Sequence, residues 1–460
     1  MTPNKHNSEQ TILQQYSTAL VVGLGVTGYS VVRYLSLRGV KVTVLDTRST
    51  PPLASKLQKN YPDVECYFGD IQISALESVE LVIVSPGVSL KQPIMIDLKK
   101  MGAYIVGDVE LFIEENDKPV IAITGSNGKS TVTSLVGDMC AAASMQPLVA
   151  GNIGLPVLDA ITDQIAYDIA VLELSSFQLE TTTRLNADSA AILNISADHM
   201  DRYDSMGDYT LAKARVLRGA KQVVLPRHDE RIEQITSSAQ VLSFDLDEPA
   251  NDSEYGVRRE SNYRWLMKGS QRLLRLSQIS MTGLHNVKNV LAAFALVDFL
   301  NLPVDDLIAA VKAFNGLPHR MQTIAVSREV TWVNDSKATN VGATSSALRN
   351  LEKTIIWIAG GESKDADFSE FRDVLNDNIK LLILFGVDAD KIEAALEGLI
   401  PIVRVADMKE AVYQAAKSAE PESIVLLSPA CASFDMYQNF EYRGNDFTKQ
   451  VHQLIDRGAA

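Results

Sequence analysis

The sequence predicts three α/β domains, each built on a mostly parallel β-sheet. Short β-branched runs alternate with helix-period segments along most of the 460 residues, which is the pattern of βαβ units. The pattern starts again near Gly107 and near Gly316, and a chain of this length exceeds a single hydrophobic core. We therefore expect domains at residues 1–107, 108–316 and 317–460.

The predicted elements follow in order along each domain. The first domain opens with a strand, a helix over Thr27–Arg38 that ends at Gly39, and a second strand that ends at Asp46. The segment from about Gln222 to Arg275 has short β-like pieces and polar turns, and we expect a β-rich insertion there. The predicted strands are 19–22, 41–45, 81–84, 119–123, 168–172, 190–193, 330–333, 354–358, 380–385 and 423–427.

Composition excludes several classes of protein. The chain has 43 Lys and Arg against 57 Asp and Glu, a net charge of −14, which disfavours binding to nucleic acid or to an anionic membrane. No apolar run reaches the roughly 18–20 residues of a membrane span, and the first eighteen residues lack the apolar stretch of a secretory signal. Three widely spaced cysteines form no CxxC pair. We expect a soluble, cytoplasmic, monomeric protein with no nucleic-acid partner and no membrane insertion.

The first glycine-rich turn joins a strand to a helix. Gly23-Leu-Gly25-Val-Thr-Gly28 follows the first strand, and Asp46 stands at the end of the next strand. Glycines leave room for a phosphate to approach the backbone N–H groups at a helix N-terminus. The Asp46 carboxylate could bind a ribose or a base, and Thr47 and Arg48 could hold a base or a phosphate. The turn therefore predicts a nucleotide site without indicating nicotinamide, and a tight turn that binds nothing is the alternative.

The second glycine-rich turn carries more specific chemistry. Gly125-Ser-Asn-Gly128-Lys129-Ser130-Thr131 follows an apolar strand, with Ile123 where the usual phosphate loop has its first glycine. Backbone N–H groups can bind a triphosphate, Lys129 adds a positive charge, and the Ser130 hydroxyl can bind Mg²⁺. Two nucleotide loops in separate domains indicate two different nucleotides.

Other polar residues follow the central strands. Glu173 ends a strand beside the second loop, where it could bind Mg²⁺ or cap the next helix. His199, after a further strand, could face the same cleft or be structural. Lys213 lies on a helical segment, and the residues alone favour a solvated surface charge. Asn286 and Asn289 have i, i+3 spacing on one helix face.

These motifs together resemble the Mur ligases of peptidoglycan synthesis. The resemblance extends over about residues 21–447, nearly the whole chain, and rests on the order in which the motifs occur. The motifs are Thr124–Thr131, Gly151-Asn-Ile-Gly154, Glu173-Leu-Ser-Ser-Phe-Gln178, Asp198-His199, His285-Asn286, Leu317-Pro-His-Arg320, Asn334-Asp-Ser-Lys-Ala-Thr-Asn340 and Ser428-Pro-Ala-Cys-Ala-Ser-Phe434 continuing to Phe440.

The resemblance implies a Rossmann-like N-terminal domain, a central P-loop ATP-binding domain and a Rossmann-like C-terminal domain. The last two motifs are similar in form to those of the family members that join D-glutamate to UDP-N-acetylmuramoyl-L-alanine. The implied reaction uses ATP and Mg²⁺, with two ions expected, and passes through an acyl phosphate.

The resemblance also implies roles for individual residues. Residues for the UDP-substrate are Val26, Thr27, Asp46, Thr47, Arg48, Gly87 and Asn152. Residues for ATP are Gly125, Ser126, Asn127, Gly128, Lys129, Ser130, Thr131, Asn286, Asn289, Arg320 and Asp335. Residues for D-glutamate are Lys337, Thr339, Lys364, Ser433, Phe434 and Phe440. The implied catalytic residues are Lys129, His199, Lys213 and Arg320, and the implied metal ligands are Ser130, Glu173, His199 and Lys213.

For Lys213, the resemblance reverses the interpretation made from the residues alone. In the family the matching lysine is carbamylated by CO₂, which turns a cation into an anion able to support a metal ion. Cys431, in the last motif, is interpreted as a small packing residue.

Three alternatives stay open at this point. A related amide ligase could add another amino acid or extend folate with glutamate. An NAD-dependent oxidoreductase would use the first loop but would leave Lys129–Thr131 unexplained. A nucleotide-sensing protein would bind without turnover.

Overall fold

The computed structural model describes residues 11–69, 79–198, 200, 202–233, 235, 238–281, 283–349, 351, 353–363 and 366–456. Two of the predicted site residues, His199 and Lys364, lie outside the described residues. The described chain forms three sheets, of five, nine and six strands, in sequence order. This confirms the prediction of three α/β domains.

The first sheet is parallel throughout, with strand order β3-β2-β1-β4-β5. The chain moves from β1 to β2 on one side and returns to β4 on the other, so a crevice opens at the carboxyl end of β1, at the topological switch point. The strands are β1 (Thr18–Val22), β2 (Lys41–Asp46), β3 (Glu65–Phe68), β4 (Leu81–Val84) and β5 (Tyr104–Val106). The helices are α1 (Ile12–Gln15), α2 (Val26–Leu37), α3 (Ala54–Asn60), α4 (Pro93–Lys100) and α5 (Asp108–Glu115).

The central sheet has strand order β14-β13-β12-β11-β10-β9-β6-β8-β7. The strands are β6 (Val120–Thr124), β7 (Pro147–Gly151), β8 (Ile169–Glu173), β9 (Ser189–Ile192), β10 (Gln222–Pro226), β11 (Gln240–Phe244), β12 (Glu254–Glu260), β13 (Tyr263–Lys268) and β14 (Gln271–Arg275). The helices are α6 (Lys129–Ala142), α7 (Val157–Thr162), α8 (Ser176–Glu180), α9 (Met206–Ala214), α10 (Leu284–Val297) and α11 (Val304–Ala313).

The expected β-rich insertion from Gln222 to Arg275 is wrong in one respect. The segment is rich in strands, but it continues the central sheet: β10 and β11 extend it in parallel, and β12 to β14 add an antiparallel edge. The physical reason is the buried run Val223–Leu225, which requires a neighbouring strand on both sides.

The third sheet has strand order β15-β16-β20-β17-β18-β19, and β15 alone is antiparallel to its neighbour. The carboxyl ends of β16, β20 and β17 therefore lie side by side. The strands are β15 (Gln322–Ser327), β16 (Val330–Asn334), β17 (Ile355–Gly360), β18 (Ile379–Phe385), β19 (Ile402–Arg404) and β20 (Ile424–Leu427). The helices are α12 (Val341–Arg349), α13 (Ala389–Leu396), α14 (Met408–Ser418) and α15 (Phe440–Asp456). Four 3₁₀ turns complete the described elements, at Arg215–Leu217, Leu276–Gln278, Asp298–Leu300 and Phe368–Asp373.

Helices cover both faces of these sheets, as parallel sheets require. One apolar core is shared by the first and central domains and contains Tyr34, Phe112 and Leu172. Polar contacts reinforce this junction, because the Arg33 guanidinium lies 2.7 Å from an Asp159 carboxylate oxygen. Within the part of the chain that the structure describes, no helix is long and apolar enough to cross a bilayer.

Candidate active site

The first glycine turn lies between β1 and α2. Gly23 adopts a φ of 93°, and a Cβ on Gly28 would lie 1.9 Å from the Gly23 carbonyl oxygen, so only glycine lets α2 pack this close to the turn. The Ser85 hydroxyl donates a 2.8 Å hydrogen bond to that carbonyl. The turn leaves the N-terminus of α2 beside an open cavity.

This first cavity has a volume of about 500 Å³ and is bounded by the first and central domains. All seven residues predicted for the UDP-substrate line it. They are Val26, Thr27, Asp46, Thr47, Arg48, Gly87 and Asn152. Gln92 and Gln178 line it as well. Sequence reasoning gave these two glutamines no role, although Gln178 closes one of the recognised motifs.

The Asp46 carboxylate is already engaged within the protein. It accepts a 2.7 Å hydrogen bond from the Leu24 N–H and pairs with the Arg48 guanidinium at 2.6 Å. Burial alone would raise the pKa of Asp46, but Arg48 and the Leu24 N–H outweigh burial and lower it. The carboxylate thus ties the glycine turn to Arg48, whose side chain is 52% exposed at the cavity.

The second glycine turn lies between β6 and α6. Gly125 and Gly128 have φ angles of 150° and 86°, and a Cβ on Gly128 would lie 2.6 Å from Asn289 Oδ1. The Asn289 amide donates a 3.1 Å hydrogen bond to Asn286 Oδ1. The structure therefore places the first turn of α10 directly against this loop, with both asparagines buried on the facing side.

Two lysines converge on the same loop. Lys129 Nζ donates hydrogen bonds of 2.8 Å to the carbonyl oxygens of Gly125 and Ser126, and Lys213 Nζ donates one of 2.9 Å to the Gly125 carbonyl. Lys213 is only 2% exposed. The solvated surface charge expected from the residues alone is therefore wrong, because α9 turns this side chain into the domain interior.

Burial lowers the pKa of both lysines. For Lys213 the shift in pKa is large. Burial is its main cause and the Lys129 charge is the second, while the charges of Asp198 and Glu173 act in the opposite direction and raise the pKa. For Lys129 burial again dominates, and Glu173 and Asp198 oppose it. Burial therefore favours the neutral form of the Lys213 amine.

Glu173 ends β8, the neighbour of β6, and is 1% exposed. Its Oε1 accepts a 2.7 Å hydrogen bond from the Asn152 amide. Its Oε2 is buried and accepts no hydrogen bond from any residue that the structure describes. A buried carboxylate oxygen without a partner is costly, and it is the kind of ligand that a hard cation takes. Glu173 and Ser130 therefore fit a magnesium site.

The C-terminal domain contributes two charged residues. Arg320 Nη2 donates a 2.7 Å hydrogen bond to Ser130 Oγ, across the junction of two domains, and burial lowers the pKa of its guanidinium. Asp335 accepts hydrogen bonds from the Met321 N–H at 3.1 Å and the Ser428 hydroxyl at 2.9 Å. Burial raises the pKa of Asp335 to about 7.

A second cavity of about 460 Å³ lies between the central and C-terminal domains. Eight predicted residues line it: Asn127, Gly128, Thr131, Asn286, Asn289, Arg320, Asp335 and Lys337. Phe244 and Leu246 also line it. Sequence reasoning missed these two because they lie at the end of β11 and just after it, in the segment that was expected to be an insertion.

The residues predicted for D-glutamate that the structure describes lie at one end of the third sheet. Lys337 and Thr339 follow β16, Ser433 and Phe434 follow β20, and Phe440 begins α15. Lys337 Nζ lies 3.8 Å from the centre of the Phe440 ring, and burial together with the Arg320 charge lowers the pKa of Lys337 to about 8. Ser433 is buried, whereas the Phe434 side chain is 66% exposed.

Cys431 fits its interpretation as a packing residue. It is fully buried in an apolar cluster, and burial raises the pKa of its thiol to about 12. A thiol in this environment is unreactive at neutral pH.

Comparison with known proteins gives consistent results along the chain. Residues 17–107 match the model of the Mur ligase MurD-like N-terminal domain, residues 123–297 the Mur ligase middle domain, and residues 319–431 the Mur ligase glutamate ligase domain. A UDP-N-acetylmuramoylalanine–D-glutamate ligase from Pseudomonas aeruginosa is 46% identical over 440 residues, which cover 95% of this chain and 98% of that protein. The protein of the same name from Legionella pneumophila strain Lens is 43% identical over 446 residues, covering 95% and 100%.

Solved structures share the fold at low sequence identity. The UDP-N-acetylmuramate–alanine ligase MurC from Thermotoga maritima aligns with a TM-score of 0.58 and 19% identity, covering 95% of this chain and 99% of that one. MurF ligase from the same organism, in complex with ADP, aligns with a TM-score of 0.60 and 12% identity, covering 98% and 100%.

Proposed function

The chain belongs to the Mur ligase family, and we propose that it joins D-glutamate to UDP-N-acetylmuramoyl-L-alanine, using ATP, in peptidoglycan precursor synthesis. One geometric observation carries the proposal: the Asn152 amide, which lines the first cavity, binds Glu173 beside the second glycine loop. A UDP-linked carboxylate in the first cavity could therefore reach a phosphate held by that loop. The similarity to D-glutamate ligases over 95% of the chain supports this substrate pair.

In this proposal each of the three domains binds one of the three substrates. Residues 1–107 bind the UDP moiety, residues 108–316 bind ATP, and residues 317–460 bind D-glutamate. The lining of the first cavity supports the first assignment, and the lining of the second supports a nucleotide between the central and C-terminal domains.

The reaction begins at a carboxylate, which is a poor acyl donor because its leaving group would be oxide. Transfer of the γ-phosphoryl group of ATP to a carboxylate oxygen releases ADP and gives an acyl phosphate. The neutral amine of D-glutamate then attacks the acyl carbon, the bond from that carbon to the phosphate oxygen breaks, and the nitrogen loses a proton. The products are the amide, ADP and phosphate, and no covalent enzyme intermediate is needed.

Positive charge is the main catalytic requirement, because the carboxylate and ATP are both anions. Lys129 and Arg320 supply it in this proposal. In the unliganded protein Lys129 is held by loop carbonyl oxygens and Arg320 by the Ser130 hydroxyl. Both groups can exchange these neutral partners for phosphate oxygens, so the site is arranged for an anion before one arrives.

Magnesium fits the residues at this loop. We assign Ser130 and Glu173 to one ion, and His199 with a carbamylated Lys213 to a second. The unpartnered Oε2 of Glu173 supports the first assignment. When bound, the ions would offset the charge on the phosphate oxygens.

Carbamylation of Lys213 follows from the chemistry of a buried amine. Only the neutral amine can attack CO₂, and burial favours that form. The nitrogen bonds to the carbon of CO₂ and loses one proton, leaving a carbamate anion. An anion at this position would also relieve the repulsion between Lys213 and Lys129.

The D-glutamate site is assigned to Lys337, Thr339, Lys364, Ser433, Phe434 and Phe440. A buried ammonium at Lys337 suits one of the two carboxylates of the amino acid. The hydroxyls of Thr339 and Ser433 can donate hydrogen bonds to the same carboxylate.

A substrate screen tests the proposal. The enzyme is supplied with ATP, Mg²⁺ and UDP-N-acetylmuramoyl-L-alanine, and phosphate release is followed with D-glutamate, L-alanine or meso-diaminopimelate. Phosphate release with D-glutamate, and not with either of the other two amino acids, supports the proposal. Preference for either other amino acid would instead indicate a related amide ligase.

A further inference from the structure

Arg443 is a fully buried arginine on α15, three residues after Phe440. A buried guanidinium is costly unless its donors are all satisfied. Burial lowers the pKa of Arg443 to about 10, so the group still carries its charge at neutral pH.

The guanidinium satisfies all five of its N–H donors with neutral oxygens. Nε donates to the Ser336 hydroxyl at 3.1 Å, and Nη2 donates to the carbonyl oxygens of Ser336 at 2.9 Å and Cys431 at 3.0 Å. Nη1 donates to the carbonyl oxygens of Ala432 at 3.2 Å and Gly360 at 3.4 Å.

These acceptors belong to three loops, which follow three adjacent strands of the third sheet. Ser336 follows β16, Gly360 ends β17, and Cys431 and Ala432 follow β20. Two of the loops contact each other, because Glu362 bridges to Ala432. The Ser336 hydroxyl also donates a 2.9 Å hydrogen bond to the Phe440 carbonyl at the start of α15. One side chain therefore joins the ends of three strands.

The same three loops carry the residues assigned to D-glutamate. Lys337 comes directly after Ser336, Ser433 directly after Ala432, and Lys364 four positions after Gly360. We propose that Arg443 is a positioning residue for the amino-acid site, fixing the spacing between the loops that contact D-glutamate without touching the substrate itself. This inference rests on the proposed function for the identity of the amino acid.

Arg443→Lys tests the proposal, because lysine keeps the charge but its three donors come from one point and cannot span three loops. We expect the KM for D-glutamate to rise roughly tenfold, while the KM values for ATP and the UDP-substrate change by less than about twofold. Equal rises in all three KM values, or none, would overturn the proposal, since a merely structural role would not single out the amino acid.

Arg372→Lys is the matched control. Arg372 lies in the same domain, is exposed and donates a 2.9 Å hydrogen bond to a single carbonyl, that of Ala395. Its replacement should leave all three KM values unchanged. Ser336→Ala is a milder variant that removes only one acceptor of Arg443, and it should raise the KM for D-glutamate by a smaller factor. This variant serves as the test if Arg443→Lys does not fold.

Amide hydrogen exchange separates failure of this inference from failure of the proposed function, because it needs no substrate. In Arg443→Lys, exchange should accelerate in residues 335–340, 360–363 and 429–434 and stay unchanged in the two glycine turns at 23–28 and 125–128. Unchanged exchange in the three loops would overturn the positioning role even if D-glutamate is confirmed. Accelerated exchange would support it even if the substrate screen selects another amino acid.

Discussion

At the scale of single residues, the main feature of the site is that positively charged side chains lie close together and away from solvent. Lys129 and Lys213 both donate to the Gly125 carbonyl, and Arg320 contacts Ser130 in the next turn. Bringing cations together without anions is unfavourable, and the loop carbonyls and Glu173 offset this only in part. Asp198 also opposes the two lysine charges, so the positive charge that would face a triphosphate at this loop comes mainly from Lys129 and Arg320.

Lys129→Ala tests the role of that charge. We expect turnover to fall by roughly 10²- to 10³-fold or more, because phosphoryl transfer loses a countercharge, while binding of the UDP-substrate in the first cavity is unchanged. Steady-state phosphate release and calorimetric titration measure the two properties. Lys221→Ala, at an exposed lysine paired with Asp188, is the control. Near-normal turnover of Lys129→Ala would remove the phosphate-loop assignment.

Lys213→Ala tests the carbamate. The variant should lose activity and regain part of it when formate or acetate is added, since a short carboxylate can occupy the space and supply the anionic charge. Lys129→Ala should gain nothing from the same additives, because it lacks a cation. An unaffected Lys213→Ala variant would show that the buried amine has no catalytic role.

Asp335 makes stability depend on pH. Its folded-state pKa of about 7 lies above the ordinary aspartate value of 3.8, so protonation stabilises the folded protein, and this contribution is lost as pH rises through about 7. In Asp335→Asn the contribution is absent. Between about pH 4 and pH 8, urea unfolding of the ligand-free proteins should therefore show the variant gaining stability relative to wild type, by at most about 4 kcal/mol. A pH-independent difference would contradict the raised pKa.

At the scale of elements, the start of α10 packs against the second glycine turn and fixes its shape. Gly128 takes a φ of 86° at the point where α6 begins, and Asn289 lies within contact distance. The second cavity is lined by Gly128 and Thr131, at the N-terminus of α6. A helix N-terminus in this arrangement favours an anion.

Gly128→Ala tests this packing against a matched glycine. Alanine at Gly128 meets both a strained φ and Asn289 Oδ1 at 2.6 Å, whereas at Gly102, with a φ of 90°, a Cβ meets nothing within 4 Å. We expect Gly102→Ala to cost about 1 kcal/mol of stability and Gly128→Ala clearly more, with weakened ATP binding. Thermal unfolding and nucleotide titration check this, and equal behaviour of the two variants would contradict it.

Element prediction from sequence found ten of the twenty described strands and missed most sheet edges. All ten predicted strands are present within two residues of their predicted bounds. β10 to β14 were expected only as β-like pieces within one segment. The other missed strands, β3, β5, β7, β15 and β19, are all sheet edges. Their side chains are mostly half-buried, so they lack the continuous apolar run that marks a buried strand.

Within the site, the order and spacing of the motifs indicated which loops lie together, but they did not indicate how the side chains of those loops are buried or paired. Asn286 and Asn289 face the phosphate loop as their spacing suggests. The burial of Lys213 was not predictable from residue type, because it depends on how α9 packs against a loop distant in sequence. The pairing of Asp46 with Arg48 was not predictable either, because it depends on the conformation of the turn after β2. Arg443 carried no sequence signal, since four of its five acceptors are backbone carbonyls and the fifth, the Ser336 hydroxyl, is distant in sequence.

At the scale of the whole molecule, the two cavities lie at the two junctions between domains. The first and central domains share one core and are joined by Arg33 and Asp159. The central and C-terminal domains meet through a few polar contacts, such as Arg320 with Ser130 and Asn340 with Asp198. The second junction is therefore the one that a ligand can most easily alter.

We expect the C-terminal domain to close on the central domain when nucleotide and UDP-substrate bind. In the proposed reaction, Lys364 and Ser433 contact a substrate held by the other two domains, and Phe434 is exposed in the structure. Small-angle X-ray scattering with a non-hydrolysable ATP analogue and UDP-N-acetylmuramoyl-L-alanine should show a smaller radius of gyration. Identical profiles with and without ligands would contradict closure.

The central claim is that cleavage of ATP activates a carboxylate for attack by D-glutamate. The most direct test measures ADP release with UDP-N-acetylmuramoyl-L-alanine and ATP, with and without D-glutamate, together with the amide product. We predict sustained release only when all three substrates are present, with one ADP for each amide formed. Amide formation without ATP cleavage, or ADP release that ignores D-glutamate, would contradict the account.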